Sequence, residues 1–225
     1  MSDFFDFGVA FIFEGDTEDI FYRAYLEFLC QKYSCELKKR LAKAAPEIEY
    51  EMRLGKRKVL TFFHTVNAVT QMPRSWAWFE SFCADRHPDL NWKVFLCYDT
   101  DSYKEEITKF REGDWGNLRE KLTLCGAQVN DISARADIED LFLQDIEGVC
   151  SFLGVLPLIN IHGRNGKAKM KNLFRECGRS YHEGVRAKEL VCALDMQKLA
   201  NCGLLPLKLI EEELFVLAIK NKKTK

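Results

Sequence analysis

Phe7-Gly8-Val9-Ala10-Phe11-Ile12-Phe13-Glu14-Gly15-Asp16-Thr17-Glu18 joins a continuous apolar run to an acidic turn containing glycine. An uninterrupted apolar run of this length, stopped by a turn, is the pattern of a strand buried on both faces. A helix follows, with Asp16 or Thr17 as its cap, Glu18 and Asp19 in its first turn, and an apolar stripe of Phe21, Tyr25, Phe28 and Leu29. The same pattern returns at Trp92 to Tyr98, which runs into Asp99-Thr100-Asp101 and a helix from about Lys104 to Leu124. Gly126 ends that helix, Ala127 to Ile132 reads as a third, weaker strand, and Asp137 to Leu153 as one long amphipathic helix. Strands alternating with helices imply an α/β fold whose parallel sheet is flanked by helices.

Around this frame the segment from about 38 to 90 reads as a helical insertion, with helices from Thr61 to Met72 and from Arg74 to Asp85. Three further helices, Lys169 to Tyr181, Val185 to Asn201 and Pro206 to Lys220, form a C-terminal extension. The expected division is therefore 1–160 for the α/β domain and 161–225 for helices packed on the same core. A chain of 225 residues with 47% hydrophobic content can bury one good core. The net charge of −1 gives no global attraction to nucleic acid, so any such contact must come from local basic patches. The nine cysteines contain no Cys-x-x-Cys and read as reduced core residues, and the four histidines have no zinc-finger spacing with them. An acidic N-terminus and the lack of a bilayer-length apolar run lead us to expect a cytoplasmic protein without a membrane span.

If the two strong runs are parallel neighbours, their carboxyl ends share the sheet edge where open α/β folds bind ligands. Glu14, Asp99 and Asp101 would then converge, and hard oxygen ligands of this kind suit Mg²⁺ or Mn²⁺ better than zinc. A third acidic group, Asp137, Glu139 and Asp140, opens a helix after the weaker strand; Glu139 is its functional candidate and Asp137 its cap. The competing reading of all three clusters is ordinary acidic first turns of helices. The stretch His162 to Lys171 opens a helix after two glycines with Arg164, Lys167, Lys169 and Lys171, a candidate clamp for phosphate. Its glycine spacing is not that of a P-loop, so the chain carries no recognisable ATPase motif.

Glu14-Gly15-x-Thr17-Glu18 after one strand and Asp99-x-Asp101 after a later one resemble the Toprim domain, and more narrowly the OLD/RloB-like Toprim nucleases of bacterial anti-phage defence. Ser133 and Ile138 to Phe142 fit the place where those relatives carry a further Ser and Glu, and Lys167 or Lys169 lies where OLD-type nucleases use a lysine. The resemblance implies a Toprim-like Rossmannoid sheet and a Mg²⁺-dependent nuclease that hydrolyses phosphodiester bonds of DNA or RNA. Glu14, Asp99, Asp101 and Lys167 or Lys169 would be catalytic, and Glu14, Glu18, Asp99, Asp101 and Glu139 would hold one or two Mg²⁺ or Mn²⁺ ions. Lys56, Arg57, Lys58, Arg164 and Lys171 would hold the nucleic-acid backbone. Sensing would need a separate ATPase partner, and there is room for a homodimer. The rival expectations are another Toprim activity, such as primase-like nucleotidyl transfer, and a non-catalytic metal-binding interaction protein.

Overall fold

The computed structural model describes residues 4–40, 48–67, 69–99, 112–134, 137–157 and 160–216. One six-stranded sheet organises them, in the order β2-β3-β4-β1-β5-β6. Its strands are β1 (Phe7–Phe13), β2 (Glu36–Arg40), β3 (Glu49–Leu54), β4 (Arg57–Thr65), β5 (Trp92–Asp99) and β6 (Gln128–Ala134). β4, β1, β5 and β6 are mutually parallel, while β2 and β3 add an antiparallel edge. The helices are α1 (Asp16–Lys32), α2 (Met72–Phe79), α3 (Glu112–Leu124), α4 (Ile138–Phe142), α5 (Ile146–Leu153), α6 (Gly166–Glu176), α7 (Lys188–Ala193), α8 (Met196–Asn201) and α9 (Leu207–Glu211). The expected α/β class with a largely parallel sheet is what the chain forms.

β1 is central because both of its faces are apolar. Successive side chains of a strand alternate between faces, so Val9, Phe11 and Phe13 enter one core while Ala10 and Ile12 enter the other. The first core, against α1 and the C-terminal helices, is aromatic at the sheet: the rings of Phe11 and Phe95 stack at 4.9 Å. The second core lies under α2 and α3 and holds Trp78, Trp92 and Trp115. β5 obeys the same alternation, with Phe95 and Cys97 in the first core and Val94, Leu96 and Tyr98 in the second. Asp99, two residues beyond Cys97, therefore emerges on the α1 side.

The insertion differs from the helical segment expected. Its first part is built of strands, a β2-β3-β4 meander, and the Thr61 to Met72 stretch read as a helix contains the second half of β4. What decides this is pairing: β4 lies along the whole of β1, from Phe7↔Val59 to Phe13↔Thr65, a long-range contact that outweighs local helical spacing. Residues from Arg74 are helical as expected, α2 running into a π-turn at Glu80–Ala84. The expected long helix from Asp137 is broken into α4 and α5 by a 3₁₀ turn at Leu143–Asp145. There the buried Asp145 carboxylate accepts from Asp195 N at 2.8 Å and from Lys198 Nζ at 3.1 Å. Val185 to Asn201 is divided likewise, where Asp195 caps α8 by accepting from Lys198 N.

Candidate functional site

The carboxyl ends of β1 and β5 meet as expected. Glu14 N donates to Cys97 O at 3.0 Å, and Glu14 Oε2 accepts from Asp99 N at the same distance, so the first acid after β1 is fastened to the last residue of β5. Asp99 Oδ2 accepts from Ile138 N at 3.3 Å, which draws the start of α4 onto the same point. Its other oxygen, Oδ1, is buried with no hydrogen-bond partner among the described residues. Glu18, one turn into α1, is 7% exposed, and Glu139, in the first turn of α4, is 3% exposed. Residues from three separate stretches of the chain thus bring Glu14, Glu18, Asp99 and Glu139 together around a cleft of about 370 Å³. A larger groove of about 470 Å³ lies between α2 and α3, but the buried carboxyl groups converge in the smaller one.

Burial and mutual repulsion govern the protons here. Burial, reinforced by Glu14 and Glu139, pushes Glu18 up to about 8. Asp99 is raised well above the usual carboxylate range by burial first and then by Glu18, Glu14 and Glu139. Burial also raises Glu139, although the Tyr181 hydroxyl, which donates to Glu139 Oε1 at 2.8 Å, favours its charged form. Near neutral pH, the group holds protons as well as charge.

The floor of the cleft comes from α6. Asn165 caps that helix, accepting from Ala168 N at 2.9 Å, and Gly166 follows where no side chain fits: a Cβ there would overlap the backbone of Glu139 and Asp140. The close crossing lets Asp140 Oδ2 accept from Gly166 N at 3.1 Å and Asp137 Oδ2 accept from Lys167 N at 3.2 Å. Asp137 stands at the start of α4 as expected of a cap, yet its carboxylate serves α6. Lys167 Nζ reaches Glu183 Oε2 at 2.5 Å on the cleft wall, and Lys171 holds the other oxygen of Glu183 at 3.3 Å. Burial opposes the Lys167 charge, but Glu183, Glu139 and Asp137 raise its pKa on balance; Lys167 and Lys171 in turn hold Glu183 below the usual range against its burial.

The expected site residues are thus only partly united. Glu14, Glu18, Asp99, Glu139 and Lys167 line the cleft, whereas Lys169 turns to Asp140 Oδ1 at 3.3 Å and Arg164 is exposed. Asp101 lies outside the described residues. Lys56, Arg57 and Lys58 stand at the β3–β4 turn, at the opposite end of the parallel strands from the cleft, so they do not extend it. Neither Asp16 nor Thr17 caps α1: Gly15 occupies the cap position, and Thr17 Oγ1 accepts from Gly184 N at 2.9 Å instead. Tyr181, Glu183 and Asn67 were not anticipated. Asn67, whose φ of 62° suits asparagine, donates its N–H to Glu14 O at 2.8 Å and lines the cleft. Among the described residues, which leave out Asp101, no three Asp, Glu, His or Cys side chains stand where they could jointly hold an ion. Their oxygens are turned instead toward Asp99 N, Ile138 N and the Tyr181 hydroxyl.

Comparison with known proteins corrects the family expectation. No family model matches the chain, and no curated protein matches it. Among solved structures it is similar to a futalosine hydrolase mutant of Helicobacter pylori, at 7% identity and a TM-score of 0.28 over 94% of this chain and all of that one. It is also similar to the 5'-methylthioadenosine/S-adenosyl homocysteine nucleosidase of Campylobacter jejuni, at 12% identity and a TM-score of 0.28 over 92% of this chain and 99% of that one. The cytosolic domain of Legionella pneumophila FeoB matches at 14% identity and a TM-score of 0.30, over 96% and 90%. No family model and no curated protein shows membership of the Toprim or OLD/RloB-like group, so that expectation does not stand, and the DNA or RNA nuclease, primase-like, metal-binding interaction and antiviral readings are withdrawn with it. Likeness at this level assigns no activity in their place. No helix of the described residues is long and apolar enough to cross a membrane.

Proposed function

We propose that the cleft is the active site of a hydrolase that works by carboxyl acid–base chemistry on a small, uncharged or cationic substrate. The observation that carries this reading is Glu18, a carboxyl group that burial and two neighbouring acids keep protonated up to about pH 8. A carboxylic acid that still holds its proton at neutral pH can deliver it to a leaving group. Repulsion among Glu18, Asp99, Glu14 and Glu139 lets some of these groups ionise only while others keep their protons, which separates an acid from a base within one cluster. Glu18 is the general acid, and Glu14, half-buried on the same wall, takes the proton of the attacking water. Tyr181 positions Glu139. The cleft volume suits a small molecule, and its carboxylate wall disfavours anions.

The test is a panel of neutral and cationic chromogenic glycosides, esters and amides assayed across pH. The expected result is turnover that declines as pH rises through about 8 and falls roughly a hundredfold or more in Glu18→Gln, within the range typical of a lost general acid. Turnover that survives in both Glu18→Gln and Asp99→Asn would place the chemistry elsewhere.

A second reading keeps Mg²⁺ or Mn²⁺ as a cofactor of this centre, and one observation favours it: the buried Asp99 Oδ1 has no hydrogen-bond partner among the described residues. Asp99 and Glu14 would hold the ion, with water completing its shell, and the ion would supply Lewis-acid activation of water. Binding to protonated carboxyls must expel protons. Mg²⁺ titrations in buffers of different ionisation enthalpy should then give different heats in the native chain and none in Asp99→Asn. No binding heat in any buffer would leave the metal-free reading.

A further inference from the structure

Helix α1 ends in a turn that places two thiols together. Cys35 N donates to Cys30 O at 2.8 Å and Ser34 N donates to Gln31 O at 3.2 Å, with Ser34 in the left-handed region at φ 51°. These two bonds, six-to-one and five-to-two, form a Schellman motif, in which the residues three from the end of the helix and two beyond it come into side-chain contact. Hydrophobic residues normally fill those places. Here both are cysteines, each acting on the ionisation of the other, and both are free thiols. Cys30 is buried in the first core, whereas Cys35 is only half-buried and can be reached from solvent.

We propose that Cys30 and Cys35 form a redox-active pair that closes to an intramolecular disulfide when the protein meets a peroxide. The asymmetry of the pair sets the order of events. The neighbouring Cys30 thiol lowers the pKa of Cys35, making it the first to ionise, and the thiolate is the nucleophile in such reactions. Cys35 attacks one peroxide oxygen, the O–O bond breaks, and the released oxygen takes a proton to leave as water, giving Cys35 sulfenic acid. Cys30 then attacks that sulfur, the S–OH bond breaks, and the hydroxide leaves as a second water with the Cys30 proton. Two thiols lose two electrons in total and the peroxide gains them. A dithiol reductant reverses the change. The bond ties the last turn of α1 to the start of β2, which begins at Glu36. It also acts through Tyr33, which lies between the two cysteines, stacks on Phe215 at 5.0 Å and donates to Glu211 Oε1 at 2.6 Å.

The sequence offers a direct readout, because trypsin cleaves after Arg23, Lys32 and Lys38 and so leaves Cys30 and Cys35 on separate peptides, Ala24–Lys32 and Tyr33–Lys38. The full-length native protein is treated with stoichiometric hydrogen peroxide, blocked with N-ethylmaleimide and digested without reductant. The expected product is these two peptides joined, lighter by two hydrogens than their sum and separated by dithiothreitol, while the exposed Cys125, Cys192 and Cys202 remain alkylated. Cys30→Ser should leave Cys35 as a sulfenic acid that dimedone captures, and Cys35→Ser should leave Cys30 reduced. Far-UV circular dichroism checks that both variants are folded. The proposal is overturned if Cys30 and Cys35 stay alkylated as fully as the exposed cysteines, or if Cys35 is found linked to any other cysteine.

Discussion

Two titratable residues, the buried Glu18 and the half-buried His64, make opposite demands on pH. Glu18 is raised to about 8 from an ordinary value near 4.5, so the folded state binds the extra proton between those values and stability falls as pH rises through that window. His64 stacks on Trp78 at 4.5 Å, meets Ser75 Oγ at 3.0 Å, and is lowered by burial to about 4. For His64 the unfolded chain binds the extra proton, so its contribution is complete above about pH 6.5 and is lost as pH falls toward 4. From pH 4.5 to 6.5 the two slopes cancel; from 6.5 to 8 the Glu18 slope acts without opposition from His64. Glu18→Gln should therefore remove about 1.4 kcal/mol per pH unit of slope between pH 6.5 and 8, read from urea midpoints in that range. Equal slopes in the two proteins would mean that Glu18 titrates normally. Tyr181→Phe tests the neighbouring contact. It leaves Glu139 buried without its hydroxyl donor and should cost about 1–3 kcal/mol, a loss that grows with pH because the missing bond favours the charged carboxylate.

At the scale of elements, the crossing of α4 and α6 fixes the cleft, and Gly166 permits it. Gly166→Ala puts a methyl group into the backbone of Glu139 and Asp140, so the helices must separate, carrying Lys167 away from Glu139. The expected cost is roughly 2–4 kcal/mol, comparable to a severe overpacking change, and it should abolish turnover even where the protein remains folded; a thermal melt matching the native chain would refute the close crossing. This contact also shows why the sequence was only partly legible. β1 and β5 could be read because strands covered on both faces are continuously apolar, and Glu14 and Asp99 could be placed because each follows such a run. β4 could not, since Arg57 to Thr65 becomes a strand through its pairing with β1. The edge strand β2, Glu36-Leu-Lys-Lys-Arg40, and its neighbour β3, Glu49-Tyr-Glu-Met-Arg-Leu54, are polar strands whose charges match across the ladder, Lys38 opposite Glu51 and Arg40 opposite Glu49, and a single segment reveals neither partner. Tyr181 and Glu183 belong to no motif. Their only signal was an aromatic and an acid placed just before Gly184, too common a pattern to assign a role. The break at Asp145 likewise depends on Lys198, more than fifty residues away.

For the molecule as a whole, the question is whether the helices after residue 160 are an appendage or part of the core. Met170, Leu173, Leu199, Leu207, Ile210, Leu214 and Phe215 are buried in the same cluster as Val9, Phe11 and Phe95 of the sheet. Polar contacts reinforce this, since Tyr25 Oη donates to Leu207 O at 3.2 Å and Lys93 Nζ is paired with the Glu213 carboxylate. Cutting the chain at residue 160 would strip the C-terminal part of the first core from α1 and its face of the sheet, exposing large apolar side chains that cost on the order of 1.5–3 kcal/mol each when left in water. The expectation is a single cooperative unit, and the distribution of tryptophan makes it measurable. All four tryptophans, Trp76, Trp78, Trp92 and Trp115, lie on the opposite face, in or against the second core. Their fluorescence therefore reports the side that the truncation does not touch, while far-UV circular dichroism also follows the C-terminal helices. In the full chain the two signals should change at the same urea concentration, as two-state unfolding requires, and residues 1–160 alone should show no cooperative fluorescence transition. A sigmoidal tryptophan transition in the shortened chain would instead establish the C-terminal helices as a separable layer.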